Sequence, residues 1–386
     1  CKTVKYQGER PVLKDTNPGK TITLDDVIAK KATVEELVAQ LTVEEMADFC
    51  CGTARNRTSK KSVIGSSWRH IPGVAAETSE ILMESRNVPW TSLVDGPAGL
   101  RITPHFKVDR KTGEVLPGGE IFGTFYNPFP ADTPEDAIDY YQYCSAIPIA
   151  TTLANSWNMN LVEEMGKVVG AEMKKFKAHF WLAPGMNIHR NPLCGRNFEY
   201  YSEDPLLSGK CAAADTKGVQ SFAGQGTTIK HFAANNQEDN RNYCNNHMSE
   251  RALREIYLKG FEIAVKESQP YSIMTSYNLI NGVHTANCYD LIQSAARDEW
   301  GFEGVIMTDW YSSQDTSFMN NYKPKYPWSS SVQCIKAGND WQMPGCEDNI
   351  EDIIAGVAKG DEITLGDLQF CTCNILRVIA KIAANS

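Results

Sequence analysis

The stretch GVIMTDWYSS, residues 304–313, carries a carboxylate where one is costly. An apolar run, Val305-Ile306-Met307, leads into Asp309 through Thr308, and Trp310 follows at once. A charge in such a place has to be paired or used. Polar residues also punctuate other apolar runs. Asp95 closes WTSLVD, Arg196 follows FWLAPGMNIHRNPLCG, Lys230 and His231 lie in GTTIKHF, and Met274 and Tyr277 lie in SIMTSYN. Each has a plain alternative. Asp95 can be a turn residue in DGP, Lys230 and His231 can be surface side chains, and Arg196 can neutralise Glu203 and Asp204. Taken together, they place one carboxylate beside an indole, among Lys, Arg, His, Tyr and a second Asp. Such groups hydrogen-bond several hydroxyls at once, and an indole offers a flat apolar wall. That combination suits a sugar ring, polar at its edges and apolar on its C–H faces. Lys230 on a strand also allows a second chemistry, a Schiff base with a carbonyl substrate as in an aldolase.

The elements that must hold these residues alternate. Candidate strands are residues 90–97, 147–156, 180–188, 226–236, 272–282, 304–310 and 334–344, with amphipathic helical stretches at 161–176, 249–267 and 291–300. Strands separated by helices argue for βαβ units and a parallel sheet. Their number favours an α/β fold of the (β/α)8 TIM-like barrel type, in which chemistry sits at the carboxyl ends of the strands. Residues 105–145 break the rhythm with a DRKTGE turn and many aromatics, which reads as a hairpin-like insertion after the first strand. Thr33-Val-Glu-Glu36 and Thr42-Val-Glu-Glu45 both fit the capping box that starts a helix. Residues 1–32 are polar and Pro/Gly-punctuated, so they read as a linker or the tail of an upstream domain, with residues 33–386 as the barrel domain.

Composition removes several function classes. Hydrophobic content of 42% in 386 residues fits a large core. A net charge of −9 without a basic run argues against a nucleic-acid backbone as partner. No apolar run approaches the ~20 residues of a membrane span. Neither G-x-x-x-x-G-K-[ST] nor G-x-G-x-x-G nor H-E-x-x-H occurs, so no cofactor and no metal is called for. The twelve cysteines are scattered rather than framed as C-x-x-C pairs. Buried thiols are the expectation, and with them a reducing, cytoplasmic setting.

DGPAGLR, CGRNFEYYSEDP, TTIKHFAANNQEDNR, IMTSYN and GFEGVIMTDW, in that order between about residues 33 and 345, resemble the barrel domain of glycoside hydrolase family 3. The resemblance implies a retaining β-glycosidase, a β-glucosidase above all, with Asp309 as the catalytic nucleophile. It implies Asp95, Arg196, Lys230 and His231 as ligands of the terminal sugar's hydroxyls, Tyr277 beside the nucleophile, and Met274 and Trp310 lining the pocket. KHFAANNQE with DGPAGLR resembles the β-glucosidase and β-xylosidase branches. The histidine-bearing loop of the β-N-acetylhexosaminidase branch is not found here.

Retaining hydrolysis needs a second carboxyl about 5–5.5 Å from the nucleophile to protonate the leaving oxygen. Glu199, Glu203, Asp204, Glu238 and Asp340 are the candidates in this chain. Glu203 and Asp204 stand beside Arg196, and Glu238 lies three residues before Arg241, so ion pairing is the expected role of each. In the glucosidase branch the acid/base is a glutamate on a separate α/β sandwich domain. The expected partner is therefore such a domain, upstream as in permuted members or on a second chain. A non-catalytic carbohydrate-binding subunit is the rival reading.

Overall fold

The computed structural model describes residues 8–53, 69–121, 125–312, 326 and 329–385. Its central element is a six-stranded sheet, ordered β1 (Ala76–Glu77), β2 (Ser92–Val94), β3 (Phe180–Trp181), β4 (Gly226–Phe232), β5 (Ser272–Thr275) and β6 (Val305–Met307). From β2 to β6 the pairing is parallel, and β1 runs antiparallel to β2. The reversal follows from the connection. The connection, residues 78–91, holds only the four-residue helix Met83–Arg86 and not the long, packed helix of a βαβ crossover. The (β/α)8 expectation therefore holds at the level of an α/β chain with a curled, mixed sheet. Past both edges, single bridges continue the backbone pairing, Met307 with Trp341, Gln342 with Cys51, and Gly52 with Thr78.

Strand β4 is buried along its whole length, as a strand covered on both faces must be. Its cover is helical. Helix Met159–Lys175 packs on Pro205–Gln220, and that helix packs on Lys259–Ser268. The first pair approaches closely because Gly166 and Gly218 face it. A Cβ on Gly218 would lie 2.1 Å from the Glu163 carbonyl oxygen. Inside the sheet, one apolar cluster includes Leu93, Phe180, Met274, Met307, Trp310 and Trp341.

Both predicted capping boxes form. Thr33 and Thr42 accept from the Glu36 and Glu45 backbone, and each glutamate returns a carboxylate to its threonine's N–H. The helices they start pack against Leu365–Ala383. From the first segment, Arg10 reaches Asp367 on that helix at 2.9 Å, and Leu13 N donates to Gln369 at 2.8 Å. The insertion contains the predicted hairpin, with His105–Val108 antiparallel to Ile138–Tyr141.

Two predicted strands are something else. Within 147–156 the chain forms helix Ala150–Asn155, and its buried residues Ala150, Leu153 and Ala154 fall at helical spacing. Within 334–344, helix Ser331–Ala337 ends at Gly338 (φ 85°), and only Trp341 and Gln342 then make strand-like bridges. A short apolar run does not distinguish a buried helix turn from a strand by periodicity. The other predicted strands are present in shortened form. The stretch 291–300 is a π-helical segment, Asp290–Glu299.

Candidate active site

Asp309 stands two residues beyond β6, held in place because Thr308 N donates to Trp341 O at 2.8 Å. It is 7% exposed. Its Oδ1 accepts from Trp310 N at 2.7 Å, and its Oδ2 lies 3.6 Å from His231 Nε2. Oδ2 and the neighbouring Trp310 Nε1 are buried polar atoms with no hydrogen-bond partner among the described residues. Unsatisfied buried atoms of this kind are rare and need a reason. Burial pushes the Asp309 carboxyl up from its ordinary range, and Arg241, Arg196 and Lys230 oppose that shift. A buried carboxylate with an open oxygen and three cations around it is suited to attack an electron-poor carbon.

His231 is the penultimate residue of the buried strand β4. Asn187, from the loop after β3, clamps its backbone, accepting from His231 N and donating to His231 O at 2.9 Å each. The ring's Nδ1 is 3.1 Å from Tyr200 Oη. Burial, then Arg196, Lys230 and Arg241, holds the imidazole well below its usual range, so it is neutral.

Lys230 Nζ donates to Asp95 Oδ1 at 3.0 Å, and Arg101 pairs with Asp95 Oδ2. Burial alone would raise the Asp95 carboxyl, but Lys230 and Arg101 outweigh it and hold it well below the usual carboxylate range. Arg196 pairs with Glu199, not with Glu203 or Asp204. The 3-10 turn Asn197–Glu199 brings Glu199 back onto Arg196, whereas Glu203 is exposed and Asp204 caps helix Pro205–Gln220 through Leu206 N. Tyr277 donates to Trp310 O at 2.7 Å and so ties the loop after Asp309 to the end of β5. Burial and the Asp309 charge push its phenol up. Met274 and Trp310 are 2% and 3% exposed and belong to the apolar cluster inside the sheet.

Asp309, His231, Arg196, Lys230, Asp95 and Tyr277 are thus brought together by direct contact or by charge. Arg241 joins them without having been singled out. Its guanidinium sits 4.6 Å over the Tyr277 ring, pairs with Glu238 at 2.7 Å, and is the cation that lowers Asp309 most. Tyr200 and Asn235 are further additions. In the sequence Arg241 is marked by its place at the end of TTIKHFAANNQEDNR and by Glu238 three residues before it, the ion pair that forms.

None of the five carboxyls weighed as acid/base stands open opposite Asp309. Glu199 is taken by Arg196, Glu238 by Arg241 and Asn235, and Asp204 by its cap. Asp340, fully buried, is held by Arg297 at 2.6 Å, Ile306 N and Asn374. Glu203 faces solvent.

The chain is also similar to known proteins. The family model described as glycosyl hydrolase family 3 N terminal domain matches residues 137–377. A β-glucosidase of Ruminococcus albus is 36% identical over 361 residues, 92% of this chain and 32% of that protein. An exo-α-(1→6)-L-arabinopyranosidase of Bifidobacterium breve is 39% identical, over 78% of this chain and 34% of that one. The structure of β-glucosidase 3B from Thermotoga neapolitana, in complex with glucose, superposes with a TM-score of 0.71 at 40% identity, covering 90% of this chain and 42% of that one. The chain spans about a third of the length of the curated relatives it matches.

Proposed function

Because the chain belongs to glycosyl hydrolase family 3, we propose that it carries the nucleophile half of a retaining β-glycosidase, a β-glucosidase, that releases terminal sugars from β-glycosides. The observation that carries this reading is the open, buried Oδ2 of Asp309 amid Arg196, Lys230 and Arg241. In this reading Oδ2 attacks the anomeric carbon, the aglycone oxygen leaves with a proton, and a covalent glycosyl-enzyme forms. Water then attacks the same carbon from the face the aglycone left, and the Asp309 carboxylate is released. Asp95, Lys230, Arg196 and His231 bind the hydroxyls of the terminal sugar, with Trp310 as an apolar wall. A hydrogen bond to the 2-OH that strengthens in the transition state adds several kcal/mol.

The acid/base comes from outside these residues, on a sandwich domain or a second chain. The ion pairs of Glu199, Glu238 and Asp340, the cap made by Asp204 and the outward-facing Glu203 support this, as does the share of its relatives that the chain spans. The single bridges beyond β1 and β6 support closure of the mixed sheet into an irregular eight-staved barrel around the site.

The Schiff-base reading loses ground because Lys230 is pinned to an ionised carboxylate, and an ammonium is not a nucleophile. An aryl 2-deoxy-2-fluoro-β-glucoside tests the proposal. Peptide mapping should find the sugar on Asp309, and failure to label, or labelling elsewhere, would overturn it. A panel of aryl glycosides fixes the sugar, glucose or a pentopyranose.

A further inference from the structure

Behind His231 runs a chain of hydrogen-bonded polar groups, buried at Tyr200 and Asn235 and partly exposed at Glu238. Tyr200 Oη is 3.1 Å from His231 Nδ1. Asn235 Nδ2 donates to that same phenol oxygen at 3.1 Å and to Glu238 Oε1 at 3.2 Å. Glu238 Oε2 in turn pairs with Arg241. Tyr200, His231 and Asn235 are each 2% exposed or less.

The donors and acceptors in this chain can be ordered in one way only. Glu238, ion-paired with Arg241, is a carboxylate and only accepts. Asn235 must therefore turn its NH2 toward Glu238, and its second hydrogen goes to Tyr200 Oη. The phenol oxygen is then already accepting, and its own proton has one acceptor in reach, His231 Nδ1. A neutral imidazole carries one proton, which is left on Nε2, the nitrogen 3.6 Å from Asp309 Oδ2. The opposite tautomer would aim two donors at the phenol oxygen and strand its O–H. It would also set the Nε2 lone pair against the Asp309 carboxylate.

We propose that Glu238, Asn235 and Tyr200 are positioning residues that fix His231 as its Nε2–H tautomer, so that a hydrogen-bond donor always faces the Asp309 carboxylate and the hydroxyl of a sugar bound there. The tautomer itself does not depend on the glycosidase reading; its effect on turnover rests on that reading.

The test is nitrogen NMR of the intact protein labelled with 15N-histidine, with His231 identified by loss of its signals in His231→Gln. In the unmodified protein, Nδ1 should resonate as a bare, pyridine-type nitrogen and Nε2 as a protonated, pyrrole-type one. Tyr200→Phe should move both toward the averaged shifts of a mixed population, while glucose-free melting stays cooperative. A protonated Nδ1 in the unmodified protein overturns the assignment, whether or not the variant folds. Shifts unchanged in Tyr200→Phe overturn it as well. The same variant should label Asp309 about tenfold more slowly with the fluoroglucoside, the factor that one hydrogen bond of ordinary strength is worth. An unmodified protein that shows the predicted spectrum yet never labels retires the glycosidase reading and leaves the tautomer in place.

Discussion

Lys230 Nζ lies 3.0 Å from Asp95 Oδ1, with 5% of the lysine side chain and 16% of the aspartate side chain exposed, and Arg101 holds the other carboxylate oxygen. The two ends of this pair are not equivalent. Lys230→Met leaves Asp95 with Arg101, so the loss should be about 1–2 kcal/mol. Asp95→Ala leaves a buried ammonium without its ion-pair partner, and about 3 kcal/mol or more is expected. The double variant should be more stable than the sum of the singles, because it strands no charge. Urea unfolding of the three variants measures this, and equal losses in the two singles would contradict it.

Arg241 is the strongest of the charges that lower Asp309. Arg241→Met removes it and frees Glu238, whose negative charge acts in the same direction. Both changes disfavour the ionised form, so the Asp309 carboxyl rises further. The acid limb of kcat/KM against pH should move to higher pH by about one unit or more. An acid limb at its original position would mean that Arg241 does not act on the nucleophile.

Asp309→Asn separates a hydrolase from a sugar-binding subunit. Loss of a covalent nucleophile costs on the order of 10⁴-fold or more in turnover, while glucose binding measured by calorimetry persists. The folded environment disfavours the ionised Asp309, as its raised carboxyl indicates. The neutral isostere should therefore melt at the same or a higher temperature, the usual relation between a strained active site and stability. A variant that melts well below the parent would show that the three cations depend on this carboxylate.

How much of this was legible beforehand depended on where each side chain is anchored. Asp309, Asp95, Lys230 and His231 lie on or just beyond strands, so an apolar run followed by a polar residue marked them. Arg241 and Tyr200 reach the site from loops, where no period announces direction. Glu199 rather than Glu203 became the partner of Arg196 because of a single 3-10 turn. Strand β1, two residues long, is defined by its partners and not by its own residues Ala76 and Glu77. The capping boxes at Thr33 and Thr42 were readable because every contact they use lies within four residues.

Asp215 sits on helix Pro205–Gln220 with 2% exposure, accepting from Tyr201 Oη at 2.8 Å, and burial pushes its carboxyl up to about 7. In the unfolded chain the same group titrates near 4. Between those values the folded state keeps a proton that the unfolded state has lost, so stability falls as pH rises from about 4 to 7 and stays reduced above. Asp215→Asn mimics the protonated form and keeps the acceptor for Tyr201. Its melting temperature should exceed the parent's at pH 8 and approach it at pH 5. A difference independent of pH would place the ionisation elsewhere.

An acid/base supplied from outside, as proposed, implies a kinetic signature in residues 1–386 taken by themselves. General-acid assistance contributes about 10²–10⁴-fold, and it matters most for leaving groups that need a proton to depart. Dinitrophenyl β-glucoside, whose phenolate leaves unaided, should still load Asp309. Phenyl and alkyl glucosides should react slower by a factor that grows with the basicity of the leaving oxygen. Water attack on the glycosyl-enzyme should also lag for want of a base, and azide, which needs none, should speed release and yield a β-glycosyl azide. Steady-state rates across that leaving-group series, with and without azide, measure both effects. A flat series would mean that one of Glu199, Glu203, Asp204, Glu238 or Asp340 leaves its observed place and serves as the acid in this chain.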